Sequence, residues 1–424
     1  MKNTWFIATT TLAFASQIIA SPVPREGYAA HEWGTFTSVQ GADGQQSAWN
    51  PLTVTELPKF VYDLMDSHGE ERSANLRFLS AKTAFRTLQR VETPVIYFYA
   101  DAPQTVDVTV KFPHGIVTEW YPQVKPLSKP KANAPISFRR ELQWDQVKIL
   151  PPMYAAEFPG DASGSHYYAA RETDANAVRV TTPIGGQETE KFLFYRGVGN
   201  FRAPLTVTMS DDGREITLRN DGTEELRHAF VYQLRGGKGS FQVFQSLPAG
   251  ESKTLNLPGE EQREPLSTLR ERLAHSLRSA LVREGLYERE AAAMVKTWDD
   301  SWLAEPGVRV LYTLSRAWTD RMLPLQLTPA PREVARVMVG RAEVITPQME
   351  LSLLQETKRY VEGDEAARAQ AVVSVRRLGL GRFLESAMTR LIVRGPKSRD
   401  FSARSWELLE AVSKPEAGER VAAK

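Results

Sequence analysis

Apolar residues along this chain change their spacing several times, and those changes outline an architecture. Residues 21–28, with Pro22 and Pro24, read as an extended arm. The β-branched and aromatic run from Trp33 to Val39 predicts a strand, turned back by the residues from Gly41 to Gly44. Helical spacing follows briefly: Phe60, Val61, Leu64 and Met65 within 58–66, then Phe78, Leu79, Phe85 and Leu88 within 76–88, predict two short inserted helices. From Val91 the period drops to two. The run from Pro94 to Tyr99 is continuously apolar, as in a buried strand, while Val106, Val108, Val110 and Phe112 alternate with polar residues, as in a strand with one wet face. Residues 115–121, 136–144 and 177–182 continue the β pattern around a proline-rich surface loop at 122–135. Beyond Tyr195, turns at Asp212-Gly213, Asp221-Gly222 and Gly236-Gly237 separate alternating runs and predict a meander. Residues 91–257 thus read as an antiparallel sandwich.

The period then returns to helical. Leu266, Leu269, Leu273, Leu277 and Leu281 form one stripe that Gly285 can cap, and Ala291, Met294, Val295, Trp298 and Trp302 form a second. Residues 307–343 are extended and punctuated by proline, and predict a small sheet that docks the helices on the sandwich. Thr346-Pro347 is a helix start, with Thr as cap and Pro in the first turn. Three helices are expected from there to Val412, with breaks at Gly363, around Gly379 and Gly381, and at Gly395-Pro396. The expected class is α+β: an N-terminal antiparallel β-sandwich with short helical insertions, then a mostly α-helical C-terminal region. The expected domains are 1–20 as a signal peptide, 21–260 as the sandwich, 261–345 as a mixed linker region and 346–424 as the helical region.

Composition changes this picture little. Of 424 residues, 42% are hydrophobic and 25% charged, as in a soluble globular protein. The 53 Lys and Arg against 51 Asp and Glu leave a formal charge of +2, so no broad basic field points to nucleic acid. The N-terminus matters more. Lys2, the apolar stretch from Trp5 to Ala15, and small residues at Ala15 and Ala20 have the layout of a secretory signal peptide, cleaved after Ala20 or Ala15. A periplasmic or extracellular protein is expected, with no stable membrane span after cleavage. The sequence has no Cys, which excludes disulfides, thiolate metal sites and Cys nucleophiles.

The stretch His31-Glu32-Trp33-Gly34-Thr35-Phe36-Thr37 resembles the opening motif of an uncharacterised family of bacterial exported proteins, where it sits just behind a signal peptide. The resemblance implies a class and no chemistry. Common catalytic signatures are missing: there is no His-Glu-x-x-His, nucleophile elbow, phosphate loop or dinucleotide fingerprint. No cofactor or metal site is expected. On a strand, His31 and Glu32 point to opposite faces, so they act together only if the backbone is irregular. They are read as a metal ligand or a proton-transfer pair, the metal reading weakened by only six His and no Cys, or as two structural side chains, with Trp33 as ligand contact or core anchor. Glu119, beside Trp120 and Tyr121, has the make-up of a carbohydrate site, and with Glu32 or Glu92 it offers two carboxylates to a glycosidase. Arg196, next to Gly197, suits an anionic ligand, or the glycine marks a bulge. Arg341 and Glu343 alternate onto one face, as an anion site or as an ion pair between layers. The leading expectation is a non-catalytic module that binds an envelope protein or a glycan. The alternative is a hydrolase of a glycan or peptide, acting through Glu119, Glu32 and His31.

Overall fold

A computed structural model describes residues 27–51, 57–63, 86–125 and 139–414. The expected signal peptide, most of the 76–88 helix and most of the proline-rich loop lie outside the described residues. The first strands are β1 (Tyr28–Gly41), β2 (Gln46–Ser47), β3 (Tyr62–Asp63), β4 (Gln89–Ala100), β5 (Gln104–Lys111), β6 (Gly115–Tyr121) and β7 (Glu141–Ile149). Then come β8 (Val178–Thr181), β9 (Gln187–Glu190), β10 (Leu193–Gly199), β11 (Leu205–Met209), β12 (Glu215–Asn220) and β13 (Leu226–Arg235). The last are β14 (Lys238–Leu247), β15 (Ser252–Asn256), β16 (Glu264–Pro265), β17 (Gly307–Leu314), β18 (Leu325–Thr328) and β19 (Glu333–Ile345). The helices are α1 (Leu266–Arg283), α2 (Glu288–Trp298), α3 (Arg316–Met322), α4 (Pro347–Glu362), α5 (Glu365–Arg376), α6 (Leu384–Arg394) and α7 (Arg399–Ser413).

One large sheet carries the molecule, in the order β16-β14-β13-β17-β19-β1-β4-β10-β6-β3, with β2 added on β1. The motif strand β1 lies inside it, and all its residues are buried. Period two sorts those side chains between two cores. Tyr28, Ala30 and Phe36 join the core that the large sheet shares with β11-β12-β15 and β18-β5-β7-β8-β9. Trp33 joins the core under α1 and α2, against Leu273, Leu277, Met294 and Trp298. Each fully buried large side chain of this kind contributes about 1.5–3 kcal/mol. Val39 reaches a third core, at the end of the sheet, formed with α4 to α7.

Mixed α and β content is as expected, but the pairing departs from a purely antiparallel one. β1 and β19 run parallel, from Ala29 opposite Glu333 to Gly41 opposite Ile345. The segment 261–345 also does more than dock helices, because β17 and β19 sit in the large sheet itself. Of the three expected turns, those at Gly213 and Gly236-Gly237 close hairpins, whereas β12 pairs with β15 and β13 with β14, so Asp221-Gly222 joins two sheets. No helix begins at Pro58: Tyr62 and Asp63 pair with Trp120 and Glu119 of β6. The expected stripes of α1 and α2 are buried as read, and after Trp298 the chain widens into a π-helical turn, Asp299–Ala304. Thr346 caps α4, its Oγ1 accepting from Met349 N at 3.2 Å. The C-terminal region has four helices, broken at the glycines that the pattern marked.

Candidate functional site

The motif strand spends its two ionisable residues on opposite faces. His31 Nδ1 lies 2.8 Å from Glu290 Oε2 on α2, and Tyr99 O–H donates to Glu290 Oε1 at 2.8 Å. Glu32 faces the other way. Its Oε2 accepts from Arg336 Nε at 2.6 Å and its Oε1 from Tyr195 O–H at 2.7 Å, and Arg336 also reaches Asp320. Both pairs are buried: His31–Glu290 ties the sheet to α2, Glu32–Arg336 is a cross-strand pair within the large sheet, and they share neither a face nor a cavity. Glu119, 4% exposed, accepts from Thr118 Oγ1. The aromatic residues are likewise committed to packing. Trp33 is wholly buried, Trp120 lies under the Arg139 guanidinium at 4.7 Å, and Tyr121 stacks on Tyr62 at 6.2 Å on the helix side.

The register of β6 with β10 sets Glu119 directly opposite Arg196. Arg196 is the expected site residue that does line a cavity. That cleft, of about 440 Å³, lies on the helix-covered side of the sheet, lined by Arg90, Glu92, His166, Arg196 and Arg382 together with residues at the end of α2 and in the turn after it, among them Lys296, Asp300 and Glu305. Its position follows from the strands. Thr35 stands opposite Glu92 and Thr37 opposite Arg90 and Arg341, so cross-strand neighbours place these groups on one face. Gly34 leaves room for the next step: a Cβ there would come within 2.9 Å of Pro94 Cα. Beside it Thr93 is held at φ +51°, a costly conformation for a β-branched residue, and strain of this kind gathers at functional sites. Thr93 Oγ1 accepts from Arg196 Nη2 at 3.4 Å.

Charges divide the cleft into floor and rim. On the floor, Glu92 accepts from Arg382 Nη1 at 2.7 Å and lies 3.6 Å from Arg90 Nε. Burial pushes the Glu92 carboxyl up, but the guanidiniums of Arg382, Arg90, Arg196 and Arg341 outweigh it and hold the group down at about 2. Burial, with Arg341 and Arg90 nearby, lowers the pKa of Arg382 despite its Glu92 partner. Arg382 lies over the rings of Trp49 and Phe383, at 5.7 and 5.0 Å from their centroids. Its Nε and Nη2 are buried and have no acceptor among the described residues, and the same holds for the hydroxyls of Thr35 and Thr37. The π-helical turn forms one wall. Arg309 ties it to the sheet, donating to the carbonyls of Ser301, Trp302 and Glu305 at 2.8, 2.9 and 2.7 Å. Arg341 joins Glu343 at 2.8 Å and Glu305 at 2.6 Å, so the pair read from alternation is an ion pair within a larger network.

Sequence reasoning named Arg196, considered Glu92 as a second carboxylate and weighed Arg341, but missed Arg90, Lys296 and Arg382. One signal was available: Arg90 and Glu92 flank Val91 at the start of a buried run, charges at period two where apolar residues are expected. Among the described residues, no group of three or more His, Cys, Asp or Glu is placed to hold a metal ion, and no helix is long and apolar enough to cross a membrane.

No family model matches this chain, and no curated protein matches it. Among solved structures, it is similar to the yeast delta-COP-I mu-homology domain complexed with Dsl1 WxWxV peptide, at TM-score 0.28 and 8% identity, over 76% of this chain and 100% of that one. The yeast delta-COP-I mu-homology domain without peptide gives TM-score 0.29 and 9% identity, over 76% and 99%. Likeness at this level carries no argument about function.

Proposed function

We propose that this chain is an exported, non-catalytic binding module whose ligand places an anionic group on the floor of the Arg382 cleft. One observation carries the reading: the guanidiniums of Arg90, Arg196 and Arg382 all line the cleft, and the Nε and Nη2 of Arg382 have no acceptor among the described residues. Leaving a buried donor unmade costs about 1–3 kcal/mol, which an arriving carboxylate or phosphate oxygen would recover. The Nε and Nη2 edge is the one that takes such a group with two parallel hydrogen bonds. An envelope protein or glycan bearing an acidic group fits, and residues 1–20 supply the grounds for export. The hydrolase reading has less support, since His31, Glu32 and Glu119 are buried, paired and outside the cleft.

Thermal unfolding with phosphate, citrate and acetate, against sodium chloride at matched ionic strength, tests the binding. A ligand at about 100 times its Kd stabilises the folded state by about 2.7 kcal/mol. A saturable rise in Tm that Arg382→Gln abolishes supports the reading. No rise with any of the three anions overturns it.

A further inference from the structure

The cleft is basic below and acidic above. Arg90, Arg196 and Arg382 on the floor have side chains that are buried or nearly so. At the rim the Asp300 side chain is 99% exposed and that of Glu305 40%. Lys296, also at the rim, is held by Glu172 at 2.6 Å and Glu305 by Arg341 at 2.6 Å, so Asp300 is the rim charge most open to a ligand. Asp300 has a long contact to Arg270, at 3.3 Å, while Asp299 takes the closer one from Arg270 Nε at 2.8 Å. A compact polyanion would have to settle beside Glu92, Asp300 and Glu305. A molecule with one negative and one positive end meets complementary charge at both levels. The volume of about 440 Å³ is that of a small-molecule site, within the usual range of about 300–1,000 Å³.

We infer that the cleft takes a zwitterion of the amino-acid or short-peptide kind, with its carboxylate on the Nε and Nη2 edge of Arg382 and its ammonium at Asp300 and Glu305. The inference rests on the anion-binding reading above and adds to it the cationic end. The planar fork of a guanidinium favours a carboxylate on that edge, which it can meet with two parallel hydrogen bonds. The acidic rim separates this ligand from phosphate. Thr297 and Ser301, which also line the cleft, donate their hydroxyls to the Ala293 and Trp298 carbonyls and so offer a ligand longer than one residue only acceptor oxygens.

Calorimetric titration of the full chain with Ala-Ala, N-acetyl-Ala-Ala, Ala-Ala amide and inorganic phosphate tests this. Ala-Ala should bind, and each of the other probes should bind about tenfold more weakly or worse, the loss expected when a charge-assisted hydrogen bond is removed. Asp300→Asn, at an exposed side chain where folding is not at stake, should weaken Ala-Ala and leave N-acetyl-Ala-Ala unchanged. Phosphate or N-acetyl-Ala-Ala binding as tightly as Ala-Ala would overturn the zwitterion and leave the anion site standing. Binding by none of the four, with no response to citrate or acetate, would remove both.

Discussion

Glu92→Gln removes the negative charge around which the cleft floor is arranged. The carboxyl is held at about 2 against an ordinary 4.5, and each pKa unit corresponds to about 1.36 kcal/mol, so its charged form contributes about 3 kcal/mol to folding. The sign follows from the direction of the shift. A folded-state pKa below the unfolded value gives stability that is fully present above about pH 4.5 and is lost as pH falls toward about 2. Removing one member of a buried ion pair costs about 3–5 kcal/mol by a separate route, consistent with that figure. The amide of Gln keeps the shape and one acceptor, so the lower end is expected. Urea unfolding followed by Trp fluorescence should place Glu92→Gln about 3 kcal/mol below the wild type at pH 7, with the gap narrowing in steps below pH 4.5. Equal stability at pH 7, or a deficit that stays constant down to pH 3, would refute the electrostatic account.

Three further outcomes are expected. Glu32→Gln should lower stability by about 3 kcal/mol, because Arg336 stays buried with Asp320 and the Leu323 carbonyl as its remaining partners; an unchanged Tm would contradict the buried cross-strand pair. His31→Ala should cost about 1–3 kcal/mol and raise amide exchange over α2 while α4 to α7 keep theirs, which hydrogen-exchange mass spectrometry resolves. Gly41→Ala should expel the Arg390 guanidinium, 1.8 Å from where the new Cβ would lie, and so release its contacts to Asp43 and Glu350. A loss of about 1–3 kcal/mol with faster exchange in α4 and α6 is expected, and unaltered exchange there would count against it.

The local pattern made much of the fold legible. Leu269 to Leu281 on α1, the Gly236-Gly237 hairpin and the Thr346 cap are decided by neighbours in sequence, and period two correctly sends His31 and Glu32 to opposite faces. The burial of β1 was harder to read, because His31, Glu32, Thr35, Thr37 and Gln40 look like surface residues until their surroundings are known. His31 meets Glu290, Glu32 meets Arg336 and Gln40 meets the backbone at Leu205, all brought in from distant segments. The cleft is hidden for the same reason. Arg90, Arg196, Lys296 and Arg382 share no motif and converge only once the sheet, α2 and the turn before α6 have packed. Trp120 and Tyr121, read beside Glu119 as one aromatic platform, do not share a face, because alternation sends them into different cores.

The place of β19 has a consequence for how the chain is assembled. It fills the slot between β1 and β17, and its partner β1 lies far earlier in the chain. Until residues 333–345 arrive, β1 and β17 each present an unpaired edge, the kind of surface on which chains join each other. Pairing over so long a separation is also slow to form. For a chain delivered N-terminus first, everything through β18 must wait, partly assembled, for the strand that goes into its middle. The vulnerable stage therefore lasts until β19 arrives, with α4 to α7 still to follow, and a holding factor that masks the two edges would act before that point.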